Sequence, residues 1–162
     1  MNKDKSIVVL NNLIEINNDR IQVYETATIV TEESDLKNLF SEFQKTSKIF
    51  KSELVKEVQK MGGVAIDVIK QNSFFVKLWI NFKASIIDKE REDILNTLKY
   101  KEFVAIENYK DTLANNFDHL TAELIIMLKS QQILLTAHHD EVKKLGDLCC
   151  LNKNIFSLIY FK

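Results

Sequence analysis

Residues 34–63 read SDLKNLFSEFQKTSKIFKSELVKEVQKMGG, and this stretch decides the fold. Leu36, Phe40, Phe43, Ser47, Phe50, Leu54, Glu57 and Met61 recur in steps of three and four, so they line one face of an α-helix. Lys and Glu fill the remaining faces, as on a helix with one side in water. Ser34 can cap the start, with acidic residues beside the positive end of the helix dipole. Gly62-Gly63 stops it, because Gly takes the left-handed conformation just past a helix end at little cost. The stripe predicts a helix over 34–62, about 40 Å long at 1.5 Å per residue.

The same period returns on both sides. Ile7, Leu10, Ile14, Asn17, Ile21, Tyr24 and Thr28 predict a first helix over 4–30. Ile94, Leu95, Leu98, Glu102, Ala105, Tyr109 and Leu113 predict another over 89–116, ended by Asn115-Asn116. Thr121, Ile125, Leu128, Gln132, Leu135, His139 and Val142 predict the last over 118–146, with Gly146 as its stop. Between the second and third of these, Ser73 can cap a shorter helix over 73–87, FFVKLWINFKASII, which carries Trp79. The tail 147–162, DLCCLNKNIFSLIYFK, is mildly apolar and too short to be a domain. It is expected to dock on the bundle or on a neighbouring chain.

Composition agrees with an all-α chain. The 162 residues contain no Pro and 3 Gly, whereas sandwiches, barrels and phosphate loops draw their turns from those residues. Residues 1–146 are expected to form one domain, a four-helix bundle. Short first and last loops make neighbouring helices antiparallel. The middle connection has about 27 residues, of which a helical part of about 14 covers about 21 Å and the extended rest about 20 Å. That is enough to return along the whole bundle, leaving the second and third helices parallel. An up-down-up-down bundle, with the connection folded as a cap at one end, is the alternative.

Twenty-two Lys and Arg against 23 Asp and Glu give a net charge of -1, which argues against a nucleic-acid surface. Lys45, Lys48, Lys51 and Lys56 are interleaved with acids on one solvated helix face. The N-terminal apolar run is only Ile7 to Leu10, too short for a signal peptide, and no stretch approaches the roughly 20 apolar residues of a membrane span. Cys149 and Cys150 are adjacent and read as reduced thiols in a cytoplasmic protein, with a vicinal disulfide or a dimer cross-link as alternatives. Nucleophile-elbow, P-loop and dinucleotide motifs do not occur.

The segments LNNLIEINNDRIQVYE at 10–25, FKSELVKEVQKMGG at 50–63, Trp79, KEFVAIENY at 101–109 and HDEVKKL at 139–145 together give the chain a family likeness. It resembles the ferritin-like superfamily and, more narrowly, a bacterial family of uncharacterised four-helix-bundle proteins, a domain of unknown function. The likeness covers roughly residues 5–145 and departs at Lys101, where members often have Gly, and after Gly146. It implies the ferritin-like bundle with a long second-to-third crossover carrying a short extra helix. It implies a stress-related setting and no established reaction.

Function in such a bundle is built from polar side chains facing the core. Aligned at their midpoints, the four helices put Asn17, Ser47, Glu102 and Gln132 at one level, with Tyr24 and His139 one heptad away. A ferritin-like di-iron site needs a Glu on each of two helices and Glu-x-x-His on the other two. Only Glu102 is of ligand type here, and no Glu-x-x-His occurs. One carboxylate cannot neutralise two iron ions. A core carboxylate satisfied by Gln132, Asn17, Ser47 or a tyrosine hydroxyl is the plain reading of Glu102. A single metal ion at Glu102 and His139, with Glu25 or Glu57 as a third ligand, is the sharper one. His138 is placed at the edge of the stripe, among surface residues.

No catalytic residue is assigned and no cofactor is expected beyond that single ion. The expected protein is a non-enzymatic bundle with a degenerate di-metal centre and a structural, interaction or stress-associated role. The alternative is a metal-binding redox or metal-storage protein. Apolar residues that miss the stripes, Phe103 and Val104 in the third helix and Ile126, Ile133 and Leu134 in the fourth, point to a partner. Phe74, Phe75 and Trp79 in the connection and Ile155 to Phe161 in the tail add to them. A homodimer formed through the crossover helix or the tail is expected, with membrane-surface docking by the tail as the lesser option.

Overall fold

The structure is a computed structural model and describes residues 2–66, 84 and 90–160, with side chains at all of these except 150 and 152–160. Four helices make up the described residues, and no strand occurs among them: α1 Lys3–Val30, α2 Ser34–Lys60, α3 Arg91–Asn115 and α4 Ala122–Tyr160. A 3-10 turn, Phe117–His119, precedes α4. Of the predicted helix at 73–87, Ala84 is described and is helical, while Phe74, Phe75 and Trp79 lie outside the described residues, as do the side chains from Ile155 onward.

Local chemistry sets the helix ends. The Asn2 side chain accepts from the Lys5 amide at 3.2 Å and caps α1. The cap of α2 is Glu33 and not the expected Ser34, which is already helical. At the other end of α2, Gly62 takes φ +81°, the Gly63 amide donates to the Val58 carbonyl at 3.0 Å, and the Gly62 amide donates to Gln59 at 2.9 Å. This is a Schellman stop, and Gly62 supplies the left-handed residue it requires. Gly63 is needed for a different reason: a Cβ there would come within 2.8 Å of the Ile7 side chain. The chain then runs beside α1, where the Asn11 side chain donates to the Val64 carbonyl at 3.1 Å and accepts from the Ile66 amide at 2.9 Å.

Side-chain contacts fix the helix directions. Asn17 meets Tyr109 and Arg20 meets Glu102, so α1 and α3 run antiparallel. Glu53 meets Gln131 and Phe43 stacks on His138, so α2 and α4 are antiparallel too. At one end, Arg91 pairs with Glu33 and, at 2.8 Å, with Asp35. These contacts bring the starts of α2 and α3 together, so the two helices are parallel.

The buried residues follow the predicted stripes closely on α2 and α3. On α2 they are Leu36, Phe40, Phe43, Ser47, Phe50, Leu54 and Val58, with Val58 in place of Glu57. On α3 they are Ile94, Leu95, Leu98, Glu102, Ala105, Ile106 and Tyr109. The apolar core falls into two clusters. One gathers Leu10, Leu13, Ile14, Phe50, Leu54, Tyr109 and Leu128 among others. The second gathers Val23, Tyr24, Phe40, Phe43, Leu95, Leu98 and Val142 among others. Burying each such large side chain stabilises the fold by about 1.5–3 kcal/mol. A polar belt separates the two clusters.

Gly146 does not stop the last helix as expected. It lies buried inside α4, which continues to Tyr160. Gly permits a stop without forcing one, and Leu145 and Cys149 pack on the second cluster, so the helix gains contacts by continuing. A Cβ added at Gly146 would meet Leu95 and Asn96 only at 3.9 Å, ordinary contact distance. Gly146→Ala is therefore expected to stabilise the protein by about 0.5–1 kcal/mol, raising the melting temperature by about 1–4 °C. A lower melting temperature in a thermal scan would show that α4 bends or breaks at this point.

Candidate functional site: a buried ionic belt

The belt begins with a residue that the helical pattern did not select. Ile21 was expected in the stripe of α1, but Arg20 is the buried residue, 3% exposed. Its guanidinium lies side-on to the Glu102 carboxylate. Nε donates to Oε1 at 3.0 Å, and Nη2 donates to Oε1 at 2.9 Å and to Oε2 at 3.0 Å. Glu102 is 1% exposed. A planar fork against a carboxylate gives charge-assisted bonds with fixed geometry.

Each neighbouring helix closes the arrangement. From α2, Ser47 Oγ accepts from Arg20 Nη1 at 2.7 Å and donates its own proton to the Phe43 carbonyl at 2.8 Å. From α1, the Tyr24 hydroxyl donates to Glu102 Oε1. From α4, His138 Nδ1 lies 3.3 Å from Arg20 Nη2. A guanidinium can only donate, so Nδ1 accepts, and the imidazole is neutral with its proton on Nε2. The ring also stacks on Phe43 at 3.8 Å between centroids. Phe43 in turn meets Tyr24 edge-on, with centroids 5.3 Å apart.

A second chain of bonds lies one turn away. Asn17 Nδ2 donates to the Leu13 carbonyl at 2.9 Å and to the Tyr109 hydroxyl at 2.8 Å. Tyr109 donates to Gln131 Oε1 at 2.7 Å, and Gln131 Nε2 donates to Glu53 at 2.8 Å. Asn17 Oδ1 is buried with no hydrogen-bond partner among the described residues.

The electrostatics follow from burial and pairing. Burial alone would pull Arg20 down, but the adjacent Glu102 carboxylate outweighs it, and the guanidinium pKa stands above its usual value. Burial, reinforced by the Glu102 charge, pushes the Tyr24 phenol well up, and burial does the same for Tyr109. Burial, helped by Arg20, takes His138 down to about 4. The proton of Tyr24 is committed to Glu102, that of Ser47 to a carbonyl and the lone pair of His138 to Arg20.

The residues singled out from the sequence have different surroundings. Glu102 is at the centre of the belt, whereas His139 lies beside Asp140, with Nδ1 3.2 Å from the carboxylate. Its neighbour His138, expected near the surface, is the imidazole that enters the core. Gln131 likewise takes the place expected of Gln132. Glu25 is exposed, and Glu57 pairs with Lys60 at 2.5 Å. No group of three or more His, Cys, Asp or Glu that could hold a metal ion occurs among the described residues. The donor set at Glu102 does not suit a metal: both carboxylate oxygens accept from a guanidinium whose positive charge would repel a second cation. Arg20 gave no signal in the helical pattern, because its burial depends on a carboxylate 82 positions away.

A family model, described as a domain of unknown function (DUF2383), matches residues 5–115. That range runs from α1 to the end of α3 and includes Arg20, Ser47 and Glu102. No curated protein matches the chain.

Proposed function

The chain belongs to the DUF2383 family, and on that premise we propose a non-enzymatic helical scaffold of ferritin-like connectivity whose metal centre has been replaced by an internal ion pair. The observation that carries this reading is the two-pronged Arg20–Glu102 pair at mid-height, 3% and 1% exposed. A di-iron bundle uses that level for metal-bridging carboxylates. Here one carboxylate is neutralised by a guanidinium from the facing helix. The connectivity is supported by parallel α2 and α3, the end of the first and the start of the second lying at opposite ends of the bundle. Matched lengths of 28, 27 and 25 residues for α1, α2 and α3 support it as well.

Bound Fe, Mn and Zn, measured in protein purified without chelator, test the reading. Amounts well below one ion per chain are expected. A stoichiometric metal that stays through gel filtration would overturn it.

The role of such a scaffold is interaction. Phe103 and Val104 on α3 and Ile126, Ile133 and Leu134 on α4 are exposed, with Ile133 at 69%. Self-association into a homodimer would cover apolar area of this kind. Light scattering across a concentration series is expected to give twice the chain mass, and a monomer at every concentration would remove the dimer from the proposal. No helix among the described residues is long and apolar enough to cross a membrane.

A further inference from the structure

The belt has the layout of a binding site whose ligand is covalently part of α1. Arg20 presents Nε, Nη1 and Nη2 to four receivers on all four helices: Glu102 with both oxygens, Ser47 Oγ and His138 Nδ1, with the Tyr24 ring 5.6 Å from the guanidinium carbon. Every receiver is an acceptor or a π-face, and together they match a flat, singly charged, many-donor cation. Glu102 supplies the only carboxylate among them, which balances one positive charge and leaves a divalent ion half neutralised. Ser47 and Glu102 are already fixed by bonds that do not involve Arg20, from Ser47 to the Phe43 carbonyl and from Tyr24 to Glu102. The receivers are therefore held in part independently of the group they receive.

We propose that this belt is a preformed seat for guanidinium-type cations, filled in the wild-type chain by Arg20 itself and selective against divalent metals. The inference rests on the reading of the belt as an ion pair in place of a metal centre. It goes further in naming the ligand class that the seat would accept from solution once the side chain is cut back.

Arg20→Ala removes Cγ, Cδ and the guanidinium, which ethylguanidinium replaces atom for atom. The variant is expected to melt well below the wild type. Millimolar ethylguanidinium is expected to raise its melting temperature along a saturating curve, as a ligand that binds the folded state must. NaCl at equal ionic strength, MnCl2 and ZnCl2 are expected to leave it unchanged. The double variant Arg20→Met with Glu102→Leu is expected to fold and to ignore ethylguanidinium, because its seat has no charge to satisfy. If Arg20→Ala does not fold alone, refolding with ethylguanidinium against NaCl reads the same property. Rescue by Mn2+ or Zn2+, or no difference between ethylguanidinium and NaCl in melting and refolding, would overturn the proposal. Metal-free wild-type protein with an unrescued variant would sink the seat alone, whereas stoichiometric metal in the wild type would sink the reading beneath it.

Discussion

Glu102→Ala is expected to cost about 3–5 kcal/mol in urea or thermal unfolding, among the largest effects of any single substitution in the chain. The loss exceeds the worth of the pair itself. Truncating one partner strands the Arg20 guanidinium at 3% exposure, with no carboxylate to offset its lost hydration. Arg20→Met alone is expected to cost a similar amount by stranding Glu102. The two together, Arg20→Met with Glu102→Leu, remove both charges and fill the space with apolar atoms. Buried ion pairs replaced in this way are often neutral or stabilising, so the double variant should recover most of the single losses. The four unfolding curves form a double-mutant cycle. Additive losses would mean that the two side chains do not act as a unit.

Acidification is expected to destabilise the wild type through His138. Its folded-state pKa stands at about 4 against an ordinary 6.5, because burial and the Arg20 charge both oppose a second cation in the belt. The groups facing the ring set the sign: Arg20 from α1 lies against it, Phe43 from α2 covers it, and Glu102 on α3 is already engaged by the guanidinium and by Tyr24. Between pH 6.5 and 4 the unfolded chain takes up a proton that the folded chain refuses. Stability is therefore complete above that window and falls through it as the pH is lowered. At about 1.4 kcal/mol per pH unit, the loss reaches about 3 kcal/mol. His138→Phe keeps an aromatic ring against Phe43 and has nothing to titrate. Its stability should fall less over the same range, whatever its offset at neutral pH. Parallel curves for the two proteins would show that the ring is already hydrated or charged in the folded state.

Of Glu102, Arg20 and His138, the helical pattern selects only Glu102. Glu102 and Ser47 sit inside strong apolar stripes, Leu98-x3-Glu102-x2-Ala105 and Phe43-x3-Ser47-x2-Phe50, so their burial follows from the helical period itself. Arg20 competes with Ile21 for one place on α1, and simple hydrophobicity selects the wrong neighbour. The ambiguity on α4 is of another kind. Gln131-Gln132 and His138-His139 are doublets of identical residues, so either member satisfies a stripe anchored on Leu128, Leu135 and Val142. Steps of three then four fit that stripe as well as steps of four then three, although adjacent residues point about 100° apart.

The sequence by itself determined the all-helical class, the ends of the first two helices near Val30 and Gly62, and a carboxylate buried at mid-height. These depend on period, chain conformation and apolar count, all of them local. The tertiary structure decided which imidazole and which amide enter the core, that α4 runs through Gly146, and that an arginine meets the carboxylate. Those choices turn on partners far apart in the chain. An arginine is stable in a protein core only where another helix supplies the opposite charge, and that complement appears only after α1 and α3 have packed together.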